Sequence, residues 1–200
     1  MRELLRSPDL PPTRVADREA ARCHQMVRFE RQPPGTALTR STLSVGAVLA
    51  AAAGWLVVAR EPELAAVAGV VSGVLLLIGG HRANHGAGGP TDRMLDELLD
   101  RVWDGALLGP LAWVARSQDP TVAIAALAAL CLSALSSYVR ARGASLAYSV
   151  EESHLTRGLH YGLVVVALGF DRAWVLWLAV AVSGLAVVVR TSQVAREERT

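Results

Sequence analysis

The stretch TDRMLDELLDRVWDG, residues 91–105, carries an aspartate at every fourth position from its second residue. A four-residue spacing drifts by only about 40° per step around an α-helix, so these carboxylates share one helix face. The apolar run 102–115 overlaps the end of the stretch, which predicts that the helix enters a membrane. Carboxylates at that boundary are costly and usually serve an ion, a substrate or a partner helix. The aspartates are Asp92, Asp96, Asp100 and Asp104.

The rest of the chain is apolar enough to need a membrane as its second solvent. Hydrophobic residues make up 52% of the 200 positions, charged residues 19%, and the mean hydropathy is +0.34. We therefore predict an all-α bundle of six transmembrane helices. With a net charge of only +2 and two cysteines, a nucleic-acid partner and a disulfide scaffold are not expected. The predicted spans are 41–59, 64–80, 102–115, 121–139, 159–170 and 173–189.

Three segments follow from this pattern. Residues 1–40 form a charged, proline-containing arm that does not resemble a secretory signal. The arm is either solvated or contains a short juxtamembrane amphipathic helix. Residues 41–190 form the six-helix membrane domain, and residues 191–200 form a tail.

Arginine placement predicts the sidedness of the bundle. With six spans, Arg60, Arg116 and Arg172 lie on one side, and the other 17 of the 20 basic residues lie on the opposite side. Cytoplasmic segments retain positive charge during insertion. Both termini and the acidic face are therefore expected in the cytoplasm of a bacterial-type membrane. Tryptophans near span ends, such as Trp113 and Trp174, are expected as interface anchors or packing residues.

The acidic face has few evident partners on its own helix. Arg93, Glu97 and Arg101 form a neighbouring stripe that can pair internally, although Arg101 could also reach Asp104. A hard divalent cation with oxygen ligands would suit the unpaired carboxylates. Asp92 also suits the first turn of a helix, and Asp104 could either join the site or bond a neighbouring helix.

Three stretches resemble the CDP-alcohol phosphatidyltransferase family over residues 75–162. They are LDELLDRVWDGALLGPL (95–111), SYVRARGASL (137–146) and HLTRGLHYGL (154–163). The resemblance implies a six-helix membrane homodimer with a cytoplasmic site. It further implies transfer of a phosphatidyl or related group from a CDP-linked lipid donor to a hydroxyl acceptor, with release of CMP. Mg²⁺ or Mn²⁺ would be the cofactor.

Residue by residue, the resemblance makes Asp96 a metal ligand and Asp100 both a metal ligand and the base that deprotonates the acceptor. Asp92 is a candidate further ligand. Five other positions match residues that would contact substrate or its phosphate. They are Gly80, Ala83, Arg140, Arg142 and Arg157.

The first half of the family signature, D-x2-D-G-x2-A-R, is incomplete in this chain. Leu76 and Gly79 replace its two aspartates, Asn84 replaces its arginine, and Asp92 replaces a later glycine. Two carboxylates rarely hold two cations, so a second reading is a catalytically degenerate paralogue that binds lipid or pairs with an active relative. Aspartates restored at positions 76 and 79 are expected to face Asp96 across the helix pair.

Two further hypotheses rest on the same region. His81 and His85 are spaced to ligate a softer metal together with Asp96. The five glycines of GGHRANHGAGG, residues 79–89, nevertheless argue against a continuous helix there. A small transporter using the acidic row is the third functional reading.

Overall fold

The computed structural model describes residues 36–85, 89–146, 148, 154–170 and 173–197. All regular secondary structure in these residues is α-helical, which confirms the predicted all-α class for this part of the chain. The predicted arm lies outside the described residues up to position 35. The helices are α1 (Thr36–Val58), α2 (Pro62–His85), α3 (Pro90–Ala115), α4 (Pro120–Ser145), α5 (His154–Phe170) and α6 (Ala173–Glu197).

Four of these helices are long and apolar enough to cross a membrane: α1, α2, α4 and α6. The two shorter predicted spans fall on α3, whose first half is acidic, and on α5, which has 17 residues. These helices fit a helical membrane bundle with four candidate spans. Six crossings remain a prediction, because length and composition alone do not make α3 and α5 spans.

Local sequence explains where several helices begin. Proline opens α2, α3 and α4, where its missing N–H costs nothing and its fixed φ suits the helix. Asp119 caps α4 by accepting the N–H groups of Thr121 at 2.9 Å and Val122 at 3.4 Å. These starts also end the short connector 116–119, so α3 and α4 are antiparallel neighbours.

Several helices extend beyond their predicted spans. The structure continues α2 through Gly79 and Gly80, so the expectation that glycine interrupts the helix is wrong for residues 79–85; α2 ends at His85 and α3 begins at Pro90. Glycine disfavours a helix by about 1 kcal/mol per residue, but close packing against neighbouring helices can outweigh that cost. Similarly, α6 continues to Glu197 through most of the predicted tail, and α1 begins within the predicted arm.

The third helix packs against α1, α2 and α4. Its buried face changes character along its length. The first half buries the four aspartates and Trp103, whereas the second half buries Leu107, Leu108, Ala112 and Ala115. The end of the bundle where α3 begins is called the carboxylate end below, and the end where α3 finishes is called the opposite end.

Candidate functional site

All four aspartates of α3 are buried, with at most 1% of their surface exposed. A row of charged residues usually forms a solvated helix surface, but none of these four side chains is exposed to solvent. Burying an ionised carboxylate is costly unless it is paired and hydrogen-bonded. The partners that the row lacks on its own helix must therefore come from other helices.

Asp92 is bonded to α1 and to the start of its own helix. The Arg40 Nε donates to Oδ1 at 2.6 Å, and the Gly89 backbone N–H donates to Oδ2 at 2.9 Å. The second bond caps α3, as the helix-start interpretation predicts. Both carboxylate oxygens are therefore engaged within the bundle, and the role of Asp92 as a further metal ligand stays a prediction.

Asp96 forms a two-pronged ion pair with Arg157 of α5. Nη1 and Nη2 of the guanidinium each lie 3.1 Å from a different oxygen of Asp96. Asn84 of α2 adds a hydrogen bond from Nδ2 at 3.3 Å. Such forked Arg–carboxylate pairs are strong and geometrically specific. The residue that replaces the family's arginine thus contributes directly to this cluster.

Gly80 allows α2 to approach this pair closely. A Cβ at this position would lie 2.5 Å from Oδ1 of Asp96 and 2.9 Å from Nη1 of Arg157. Any side chain at position 80 would therefore displace the ion pair. The role of Gly80 in this structure is to leave room for the two charged side chains.

Asp100 shares the same guanidinium. Nη2 of Arg157 also pairs with Oδ2 of Asp100, while the Tyr161 hydroxyl donates to Oδ1. The Tyr161 ring lies against Trp103, with ring centroids 4.0 Å apart. One arginine therefore bridges the two carboxylates that the family resemblance assigns to metal binding.

Asp104 is the centre of a polar chain that joins four helices. It pairs with Arg101 at 2.9 Å, which confirms that contact, and accepts a hydrogen bond from the Ser133 hydroxyl of α4. Nε2 of His160, on α5, lies 3.1 Å from Oδ1 of Asp104. Nδ1 of the same ring lies 3.1 Å from the Ser183 hydroxyl of α6. Asp104 consequently bonds neighbouring helices, one of its two predicted roles.

The stripe beside the row does not pair internally as expected. Glu97 instead pairs with Arg140 of α4 at 3.5 Å, and the Arg93 side chain donates to the Ala83 backbone oxygen at 3.3 Å. Arg142 lies exposed in the last turn of α4. Of the three arginines expected to receive a phosphate, two are therefore bound to carboxylates of α3.

The predicted site residues are only partly brought together. Gly80, Asp96, Asp100 and Arg157 form one contiguous cluster, whereas Arg142 stands apart on the surface. His81 is exposed, and the side chain of His85 lies outside the described residues.

The residues present do not fit a pair of divalent cations. Leu76 is fully buried against α1, and a Cβ at Gly79 would lie 2.6 Å from Leu43 of the same helix. The expectation that carboxylates at these positions would face Asp96 is wrong, because both positions pack against α1. Gly80 is the α2 residue that lies beside Asp96. Within the described part of the chain, no group of three or more His, Cys, Asp or Glu side chains is arranged to hold a metal.

The space beside the row is small. A cavity of about 50 Å³ is lined by Asp100, Asp104, Arg157, Tyr161 and neighbouring side chains. Sites for small molecules usually enclose roughly 300–1,000 Å³. This cavity alone is therefore too small to hold a CDP-linked lipid.

Two α5 residues of the cluster, His160 and Tyr161, were not identified from the sequence. They follow the predicted Arg157 at i+3 and i+4, so the three share one helix face, and that spacing could have indicated them. Arg40 and Ser183 gave no comparable signal. Their roles depend on which helices become neighbours.

The sequence is similar to one named enzyme. It is 29% identical over 176 residues to the phosphatidylinositol phosphate synthase of Corynebacterium glutamicum, an alignment that covers 82% of this chain and 78% of that protein. No protein-family model matches the chain. The similarity extends well beyond the acidic stretch into most of the membrane bundle.

Proposed function

We propose that this chain is a CDP-alcohol phosphatidyltransferase-like membrane protein of phospholipid biosynthesis that has lost metal-dependent transfer. The observation that carries the proposal is the Arg157 guanidinium, which bridges Asp96 and Asp100. In this proposal the arginine takes the place of divalent cations between the two carboxylates. The likeness to a phosphatidylinositol phosphate synthase supports the phospholipid setting.

Electrostatics makes arginine and metal alternatives at this position. A guanidinium stays protonated in proteins, so Arg157 contributes a permanent positive charge that is only 8% exposed. Divalent cations bound to both Asp96 and Asp100 would leave that buried charge without its two partners. Removing one partner of a buried ion pair costs about 3–5 kcal/mol, which a two-carboxylate metal site would have to recover.

The remaining function is binding rather than turnover. The proposal retains a CDP-linked or related lipid as the ligand and a homodimer, or a pair with an active relative, as the assembly. Arg142 is exposed at the carboxylate end and is available to attract an anionic head group. Asp96, Asp100 and Arg157 then hold α3 and α5 together and do not carry out chemistry.

A CMP-release assay tests this proposal. The purified protein is incubated with CDP-diacylglycerol, a panel of hydroxyl acceptors and either Mg²⁺ or Mn²⁺, with the Corynebacterium glutamicum synthase as the positive control. We expect no metal-dependent CMP above the level without protein. Turnover typical of enzymes, on the order of 1 per second or more, would contradict the loss of transfer.

The second candidate is an active transferase, and the alignment with a named synthase over 82% of the chain favours it. In that case Asp96, with Asp92, would ligate Mg²⁺ or Mn²⁺, which would screen the diphosphate, and Asp100 would take the proton of the acceptor hydroxyl. Asp100→Asn would then abolish turnover with donor binding retained. Asp96→Asn would weaken metal-dependent donor binding.

Both candidates place the carboxylate end in the cytoplasm. A single cysteine introduced in the connector 116–119, in a variant lacking Cys23 and Cys131, should be labelled from outside intact cells. One introduced in the arm should be labelled only after lysis. The reverse pattern would place the acidic row outside the cell, beyond the reach of a cytoplasmic CDP-linked donor.

A further inference from the structure

A cavity of about 520 Å³ lies at the opposite end of the bundle from the aspartate row. The ends of α1, α3 and α5 and the beginnings of α4 and α6 form its walls. Polar and apolar surfaces contribute about equally to the lining, and the apolar part includes Val57, Leu111, Leu168 and Leu176. The volume falls within the roughly 300–1,000 Å³ that is usual for small-molecule sites. Such walls suit a hydrocarbon chain.

The cavity also carries a cation. Arg60 is one of its lining residues, and the Gln118 side-chain oxygen, when turned towards it, accepts from Nη1 at 3.0 Å and Nη2 at 3.1 Å. The nearby Asp119 carboxylate is engaged in capping α4. Among the residues that the structure describes, no carboxylate lies within ion-pair distance of Arg60. Arg60 therefore adds a positive charge to the cavity lining, and its guanidinium has N–H donors beyond the two that Gln118 accepts.

The backbone fixes the position of this arginine. Arg60 has a φ of 63°, in the left-handed region that glycine normally occupies at a helix end. Its N–H bonds the Val57 oxygen at 3.1 Å, and the next N–H bonds the Leu56 oxygen at 2.9 Å. An arginine rather than a glycine thus closes α1 in a rigid turn. The side chain starts from a defined point beside the cavity.

Exposed tryptophans mark this end of the bundle as a membrane interface. Trp55 near the end of α1, Trp113 near the end of α3 and Trp174 at the start of α6 are 72%, 63% and 62% exposed, respectively. Tryptophan side chains that face lipid concentrate at the level of the head groups. Arg60 therefore lies at that level, and the apolar walls extend from it into the hydrocarbon.

We infer that this cavity binds a glycerophospholipid of the surrounding leaflet, with an acyl chain against the apolar walls and the phosphodiester on Arg60. A phospholipid has both an anionic group for Arg60 and an acyl chain for the apolar walls. Its anionic group and its chain lie on either side of the interface between head groups and hydrocarbon. Guanidinium groups bind phosphate oxygens through two parallel hydrogen bonds. The site is separate from the aspartate row, so its test does not depend on the chemistry proposed there.

The acyl chain is tested by crosslinking. The full-length protein is placed in nanodiscs that contain phosphatidylglycerol with a photoreactive diazirine in its acyl chain, and the crosslinked peptides are mapped by mass spectrometry. We expect crosslinks on the cavity walls that disappear in Ala115→Phe and in Val122→Phe, both of which fill the cavity. Ala134→Phe, on an exposed face of α4, is the control and should retain them.

The phosphodiester is tested by Arg60→Gln, which leaves the apolar walls intact. Loss of a charge-assisted hydrogen bond should weaken phosphatidylglycerol binding by roughly tenfold, measured by native mass spectrometry. Arg116→Gln removes a cation at the same end that does not line the cavity, and its binding should be unchanged.

Three results would overturn the inference. One is wall crosslinking that persists in both filled variants, which would indicate bulk lipid only. Another is equal binding by Arg60→Gln and the unmodified protein. The third is a crosslink between the walls and a second copy of the chain, which would make the cavity a protein interface.

Discussion

Along the buried face of α3, the first half places aspartates against guanidinium groups, whereas the second half places leucine and alanine against apolar helices. Lipid tails are as apolar as leucine, so the second half gains mainly from close packing. The first half must instead neutralise each carboxylate before it can be buried. One helix face therefore contains a region that depends on close packing and a region that depends on specific charged partners.

The largest effect is expected from Arg157→Ala, which leaves Asp96 and Asp100 buried without their shared guanidinium. The free energy of unfolding should fall by about 3–5 kcal/mol. Denaturant titration of the purified protein in micelles, followed by tryptophan fluorescence, would measure it. The control is Arg142→Ala at an exposed arginine, with an expected change of about 0.5 kcal/mol or less. Equal losses in the two variants would mean that the bridge contributes nothing.

Arg157→Ala also tests the proposal that the guanidinium takes the place of divalent cations. If the guanidinium takes the place of a cation, Mn²⁺ should raise the midpoint of unfolding of Arg157→Ala and leave that of the unmodified protein unchanged. Combining Arg157→Ala with Asp96→Asn and Asp100→Asn should abolish the response to Mn²⁺. Equal stabilisation of the unmodified protein would instead favour the active transferase.

In the apolar half, Leu107→Ala should cost about 2–3 kcal/mol, because Leu107 is fully buried and its removal leaves a void. Leu98→Ala, on the exposed side of the same helix, is the matched control and should change stability by about 0.5 kcal/mol or less. The same titration reads out both variants. If Leu107→Ala lowered the free energy of unfolding by more than Arg157→Ala does, the apolar half of α3 would contribute more to stability than the charged half.

The smallest effect is expected at the edge of the aspartate row. Arg40 is 39% exposed, and Asp92 keeps its bond from Gly89 when Arg40 is removed. Arg40→Gln should therefore lower the free energy of unfolding by only about 0.5–1 kcal/mol. Arg82→Gln, at an exposed position on α2, is the control. A loss as large as that of Arg157→Ala would show that Asp92 depends equally on its guanidinium.

Sequence periodicity predicted the features that depend on neighbouring residues in the chain. The helical class, the four long apolar spans and the shared face of the aspartates follow from hydropathy and spacing. The helix-start role of Asp92 also follows, since capping involves adjacent residues. The prediction that glycines interrupt α2 was wrong at Gly79 and Gly80. The free-energy cost of a glycine within its own helix does not reveal how closely another helix packs against it.

The sequence alone determined the carboxylate row, since a repeat of four residues places the aspartates on one helix face. It also determined the long apolar helices, since a run of apolar residues needs a membrane as its solvent. Only the tertiary structure decided the partners of that row. Arg40, Arg157, His160 and Ser183 lie on three other helices, and the order in which helices pack sets which charges meet. Residue spacing within one helix does not reveal such pairing, because the pairing depends on which helices become neighbours.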